Sequence, residues 1–227
     1  MSSSTSWDSR SGADSLSAAT RDLIRRDAAA IWHPFTQQSL WVEDEPIVVD
    51  RADGMAFWDA DGNRYLDGVS SLWVNVHGHN NPEINAAISA QLGRLDHTTF
   101  LGLTHEPGIE LAEKLLATAP AGLSRVFYAG DGASAVEAAI KMAYQAQAQQ
   151  GQNRPYFAHV AQGYHGDTLG AVSVGGIDLF HETYRPILLD TLMVSSPGVL
   201  EPGQRRLNRA VEVLTELGEL LERQGPQ

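Results

Sequence analysis

The chain contains no cysteine. That excludes disulfide scaffolds and thiolate metal sites, and it is compatible with a reducing cytoplasm. Lysine is nearly absent, with Lys114 and Lys141 the only two. Basic residues as a class are few: 16 Lys and Arg stand against 28 Asp and Glu, for a formal charge of −12. Such a balance argues against a nucleic-acid duplex or an anionic membrane surface as the main partner, since each needs a basic footprint. It leaves room for a local pocket that takes a small anion. No apolar run approaches the ~18 residues of a membrane span. The Ser-rich start lacks the apolar segment of a secretory signal, and Asp8, Asp14 and Asp22 fit a transit peptide poorly. There is no G-x-S-x-G elbow, so nothing points to a serine hydrolase. What remains is a globular composition, 43% hydrophobic in 227 residues, enough for one or two domains.

Residues 1–27 read as a flexible polar tail, too poor in apolar side chains to pack. Ile31, Trp32, Pro34 and Phe35 then form an apolar cluster. Three short extended runs follow, 46–51, 55–59 and 63–66, separated by Asp53-Gly54 and Asp61-Gly62. Asp-Gly is a strong hairpin signal, because its glycine accepts positive φ, and the pattern predicts an antiparallel meander. Asn81-Pro82 has the form of a helix start, with Asn as cap and Pro in the first turn. Helical spacing of apolar residues continues to Leu95 and recurs over 107–118. From there strands and helices alternate: strand 125–129, helix 134–149, strand 156–161, short helix 167–174, strand 188–194, helix 205–223. Alternation of this kind predicts an α/β fold with a mainly parallel sheet. The organisation expected is a tail over 1–27, a small-domain segment over 28–80, and the first part of a larger domain over 81–227.

The stretch richest in chemistry runs Val126-Phe127-Tyr128-Ala129-Gly130-Asp131-Gly132-Ala133-Ser134-Ala135-Val136-Glu137. A strand runs into a glycine turn that opens a helix. The first N–H groups of a helix have no partner within it, and its dipole is positive there, so such a turn suits an anion. Gly132 admits a phosphate close to the backbone. Ala133 and Ser134 add N–H donors, and the Ser134 hydroxyl adds another. The bland alternative is a tight turn that binds nothing. Gly130-x-Gly132-x-x-Ala135 also fits the dinucleotide fingerprint of a nucleotide-binding oxidoreductase. Against that reading, about 120 residues precede the motif, and the next strand ends in Ala161-Gln162-Gly163 with no acid for a ribose.

Beyond that strand lies Gly163-Tyr164-His165-Gly166-Asp167-Thr168. Ligands in an open α/β sheet sit at the carboxyl ends of strands, so this loop and 130–134 should converge. Tyr164 would then offer an aromatic face beside a phosphate site, which a phosphorylated aromatic cofactor would use. Asp167 is expected to cap the helix that follows. His77-Gly78-His79 resembles a metal pair, but no third ligand stands at a recognised spacing, and no metal site is expected.

Residues 130–141 followed by 163–168 resemble the cofactor region of class III pyridoxal-phosphate aminotransferases, of fold type I. Trp32-His33-Pro34-Phe35-Thr36-Gln37 and Ser70-Ser71-Leu72-Trp73-Val74-Asn75-Val76-His77-Gly78-His79 are similar to the branch of that family that acts in biotin synthesis. His97-Thr98-Thr99-Phe100-Leu101-Gly102 agrees. The resemblance implies an incomplete fold type I domain, a meander followed by the first part of the cofactor domain. It implies that Gly132 and Ala133, with Ser134 as a partial substitute for a missing hydroxyl neighbour, hold the phosphate of pyridoxal 5'-phosphate. Tyr164 would lie against the pyridine ring and near the substrate. Phe35, Leu72 and Trp73 would line the pocket for 8-amino-7-oxononanoate, with Glu137, Asp167 and His165 around it. The amino donor would be S-adenosylmethionine or lysine. The whole enzyme would be a cytoplasmic homodimer with active sites at its interface. Some relatives have Tyr in place of Phe35 and Trp in place of Leu72, so a hydroxyl and an indole N–H are missing here. Asp131 and Ala133 stand where hydroxyl residues are common. Relatives are about twice as long, and the resemblance implies that the Schiff-base lysine comes later than residue 227. The 227-residue chain is then expected to be inactive alone.

Overall fold

Gly54 and Gly62 adopt φ of +54° and +86°, as their Asp-Gly turns require. Around them the meander forms as expected: β1 Val49–Asp53, β2 Ala56–Asp59 and β3 Arg64–Leu66, antiparallel in the order β1–β2–β3. Phe57 lies opposite Tyr65, and their rings stack 5.2 Å apart. The Arg51 guanidinium sits 3.8 Å from the centre of the Trp58 ring. Asp59 is buried and accepts hydrogen bonds from the N–H groups of Asp61 and Asn63, the Asn63 amide and the Tyr65 hydroxyl, at 2.8–3.0 Å. Burial works to raise its pKa, and these donors outweigh it, so the carboxyl sits below its ordinary value.

The computed structural model describes residues 16–178 and 182–224. They fall into two compact units, Met1–Thr104 and His105–Gln227. Most of the tail expected over 1–27 lies outside the described residues. Its last part is helical: α1 spans Ala18–Ala30, and Ser17 caps it by accepting the Thr20 N–H. Sparse apolar content does not prevent this, because Asp61 fastens the helix start. Its Oδ1 accepts from the Ser17 N–H at 3.2 Å and from the Thr20 hydroxyl at 3.0 Å, and Thr20 is buried. A short α2, Gln38–Trp41, follows. After β3 come one turn, α3 Ser70–Trp73, and α4 Pro82–Leu92, whose cap Asn81 accepts from Glu83 and Ile84.

The second unit starts with α5, Glu106–Thr118, capped by His105. Then come α6 Gly132–Gln149, β4 Ala158–Val160, α7 Leu169–Ser173, β5 Leu192–Val194 and α8 Arg206–Gln224. β4 and β5 pair in parallel, with His159 opposite Met193, as the α/β reading requires. Residues 125–129 pair with no strand among the described residues; the Tyr128 hydroxyl instead donates to the Gly108 carbonyl at 2.6 Å. A strand exists only through a neighbour's hydrogen bonds, which an apolar run does not specify. The run 188–194 is strand only from Leu192, after a 3-10 turn over Glu182–Ile187. The core of this unit holds Ala171 and Val172 of α7, Val194 of β5 and Val213 of α8. No helix among the described residues is long and apolar enough to cross a membrane.

Candidate functional site

In the second unit, Asp131 caps α6, an 18-residue helix that opens at Gly132. Its carboxylate accepts the Ser134 N–H at 2.8 Å and the Ser134 hydroxyl at 2.7 Å. These bonds, with one from the Ala133 N–H, hold the Asp131 carboxyl below its ordinary pKa. Both Ser134 donors, expected to face an anion, are therefore taken up by Asp131. The signal was in the sequence, since Asp just before a helix start is a favoured N-cap that accepts an N–H from the first turn. Gly132 has open space where a Cβ would stand, with no atom within 4 Å.

The loop 163–168 meets this helix start. Gly166 is buried at φ +119°, and a Cβ there would lie 2.4 Å from the Ala133 Cβ. Only glycine allows that approach. One turn along α6, Glu137 accepts the Gly170 N–H at 2.8 Å. The Thr168 hydroxyl is the main group that lowers the Glu137 pKa; bonds from the Gly170 and Ala171 N–H groups and the charge of Lys141 act in the same direction against partial burial. Glu137 thus joins α6 to the start of α7. At the far end of the loop, Gln162 donates to the Gly176 carbonyl and Gly176 to that of Gly163, both at 3.0 Å. Tyr164 is half exposed, and its hydroxyl donates to Asp167 at 2.6 Å. That bond raises the Tyr164 pKa. Asp167 was expected to cap α7; the cap position belongs to Thr168, and Asp167 orients the tyrosine. His165 packs back toward Gly163.

In the first unit, Phe35, Leu72 and Trp73 are exposed, at 79%, 68% and 74%. All three have positive φ, +52°, +65° and +69°. Leu72 and Trp73 belong to α3, where Ser70 and Ser71 are also at positive φ, +51° and +47°. Four successive non-glycine residues in the left-handed region cost roughly 1–2 kcal/mol each, and such strain concentrates at functional sites. Asp67 grips this turn, a role that sequence reasoning missed. Its Oδ1 accepts the Ser71 N–H at 2.9 Å, and its Oδ2 accepts the Ser71 hydroxyl at 2.8 Å and His79 Nε2 at 2.7 Å. The Ser71 N–H above all, then His79 and the Ser71 hydroxyl, bring the Asp67 pKa down to about 2. A second cluster joins Asp27 to Trp41 Nε1 at 2.8 Å and His33 Nε2 at 2.9 Å, with the two rings 4.1 Å apart.

The second unit thus offers a long helix start with an open glycine, a buried glycine contact that brings an aromatic loop to it, and a tyrosine fixed by a carboxylate. These features fit a phosphorylated aromatic cofactor, with the Asp131 carboxylate at the helix start an opposing charge.

The family model described as aminotransferase class-III matches residues 38–224. The chain is 53% identical over 181 residues to the adenosylmethionine-8-amino-7-oxononanoate aminotransferase of Nitratidesulfovibrio vulgaris, covering 78% of this chain and 33% of that protein. It is 46% identical over 207 residues to the protein of that name from Geobacter sulfurreducens, covering 89% and 46%. Among solved structures, the enzyme of that name from Methanocaldococcus jannaschii DSM 2661 superposes with a TM-score of 0.77 at 41% identity, over 86% of this chain and 44% of that one. The omega transaminase from Pseudomonas jessenii in complex with PMP gives 0.82 at 27% identity, over 90% and 46%. The chain spans about a third to a half of the length of these curated relatives.

Proposed function

The chain belongs to the class-III aminotransferases, and from that premise we propose that it forms part of a pyridoxal-phosphate enzyme that moves an amino group to 8-amino-7-oxononanoate, giving 7,8-diaminononanoate. The observation that carries the reading is the approach of Gly166 to Ala133, which sets the Tyr164 loop against the start of α6. When bound, pyridoxal phosphate supplies the electron sink that lets an amino group pass between two substrates. The N–H groups of Gly132 and Ala133 hold its phosphate, the Ala133 N–H turning to it from the Asp131 carboxylate, helped by the helix dipole. Tyr164 provides the aromatic face for its ring, and Asp167, 2.6 Å from the hydroxyl, fixes how that face stands. Glu137 keeps the loop and helix together. Phe35, Leu72 and Trp73 form the wall for the aliphatic chain of the oxo acid, a role their exposed apolar surfaces suit. The donor is S-adenosylmethionine or lysine; Phe35 and Leu72 bring it no polar group. The reading extends to a cytoplasmic enzyme and to a homodimer, the latter supported by the large apolar side chains left exposed on α8, Leu207, Val211 and Leu214.

The test is to incubate the full-length protein that carries this sequence with pyridoxal phosphate, 8-amino-7-oxononanoate and each donor in turn. Formation of 7,8-diaminononanoate with one donor is expected. Cofactor-loaded protein that turns over neither pair would remove the reading. The 227-residue chain by itself should be inert, because its two lysines, Lys114 and Lys141, belong to α5 and α6 and not to the residues this reading gives to the cofactor.

A further inference from the structure

We infer that Asp67 is a positioning residue, whose carboxylate holds α3 in the left-handed turn that presents Leu72 and Trp73. The inference rests on the assignment of those two side chains to the substrate wall. Both are largely exposed, so packing does not hold them where they are. The bonds inside the turn, from Trp73 N–H to the Val69 carbonyl at 2.8 Å and from Val74 N–H to that of Ser70 at 2.9 Å, follow the spacing a right-handed turn would use, and so do not select its hand. Asn75 N–H adds a backbone bond to the Ser70 carbonyl at 3.0 Å, and the side-chain contacts to the turn among the described residues come from Asp67, through the N–H and hydroxyl of Ser71.

Asp67 is itself anchored. Its N–H donates to the Met55 carbonyl at 2.9 Å beside β2. Its Oδ2 also accepts from His79, which bridges Gly54 through N–H to carbonyl bonds of 2.7 and 3.1 Å in the two directions. The side chains of Asp67 and His79 are 8% and 15% exposed. The carboxylate therefore transmits the rigid edge of the meander to a turn that backbone preference opposes. Asn at this position keeps one acceptor oxygen, and Ala keeps none.

The chain has five tryptophans. Labelled with 5-fluorotryptophan, the full-length protein that carries this sequence reports on them by fluorine NMR, with Trp58 and Trp73 assigned from Trp58→Phe and Trp73→Phe. Asp67→Ala should displace or broaden the Trp73 resonance and leave Trp58, in β2, where it was; Asp67→Asn should displace it less. An unmoved Trp73 resonance overturns the inference, and so does a shift of Trp58 alongside Trp73, which would make Asp67 a general support of the meander. If Asp67→Ala does not fold, Ser71→Ala removes one of the three donors, and it must move Trp73 alone. In the full-length enzyme, Asp67→Ala should raise KM for 8-amino-7-oxononanoate roughly tenfold or more while kcat changes far less, on the scale by which remote misplacement slows enzymes. A kcat loss with KM unchanged overturns the positioning role. Should the enzyme not use that substrate, the functional reading fails while the NMR result still decides on Asp67.

Discussion

Asp131 and Gly132 are neighbours with opposite effects on an anion. The Asp131 carboxylate takes the N–H and hydroxyl of Ser134, donors that a phosphate at the same helix start would otherwise draw on. Asp131→Ser keeps a good helix cap and removes the charge, so the affinity of the full-length protein for pyridoxal phosphate should rise severalfold in an absorbance titration. Gly132→Val fills space that is open in the structure. It should weaken the cofactor by at least ~1–3 kcal/mol, the scale of lost hydrogen bonds to a charged group, and leave the melting temperature nearly unchanged. Equal affinity in that variant would put the phosphate elsewhere. Asp67 gives a pH prediction. Its pKa falls from 3.8 to about 2 on folding, so its stabilisation is full above the unfolded value and is lost as pH falls toward 2. The Trp73 signal should persist through pH 3.8 and change only nearer 2; the titratable group that faces Asp67 across this contact is His79.

The junction of α6 with the loop 163–168 depends on one missing methyl. Gly166→Ala places a Cβ 2.4 Å from that of Ala133 at φ +119°, and should cost ~1–3 kcal/mol or more in urea denaturation. Gly62→Ala is the matched control, with positive φ but nothing within 4 Å, and should cost less. Elements set by local chemistry were legible in the sequence: the two Asp-Gly hairpins, the Asn81 cap and the glycine turn into α6. The strand expected at 125–129 pairs with none among the described residues, because apolar residues state a preference and a ladder needs a partner. α3 was least legible of all. Ser70, Ser71, Leu72 and Trp73 each disfavour positive φ, and what holds them is a carboxylate anchored through Met55 and His79, a tertiary arrangement that no local pattern announces. For the site, the glycine turn and the loop after β4 pointed to Gly132, Ala133 and Tyr164 and the resemblance named their ligand, and Asp131 was legible as a helix cap, whereas the parts of Gly166 and Asp167 show only in three dimensions.

At the scale of the molecule the core is thin. Among the described residues the buried apolar set is Ala56, Ala171, Val172, Val194 and Val213, while Leu101 is 89% exposed and Leu207 72%. Each large side chain left in water forgoes ~1.5–3 kcal/mol, against a typical stability of ~5–15 kcal/mol. β4 and β5 form a two-stranded parallel pair, and parallel sheets are ordinarily covered and extended. The purified 227-residue chain should therefore self-associate on size exclusion and unfold with little cooperativity; a monomer with a sharp transition would refute this. Within such a molecule the tie between Asp61 and the start of α1 takes on a kinetic meaning. Arg21, Arg25 and Arg26 of α1 are cutting points for trypsin, but a protease needs an unwound segment, so it samples only the molecules in which the helix has come loose. Asp61 joins residues 41 and 44 positions apart. Asp61→Ala should speed cleavage at those arginines selectively, making the rate at which the chain is clipped a direct count of how often its first helix lets go.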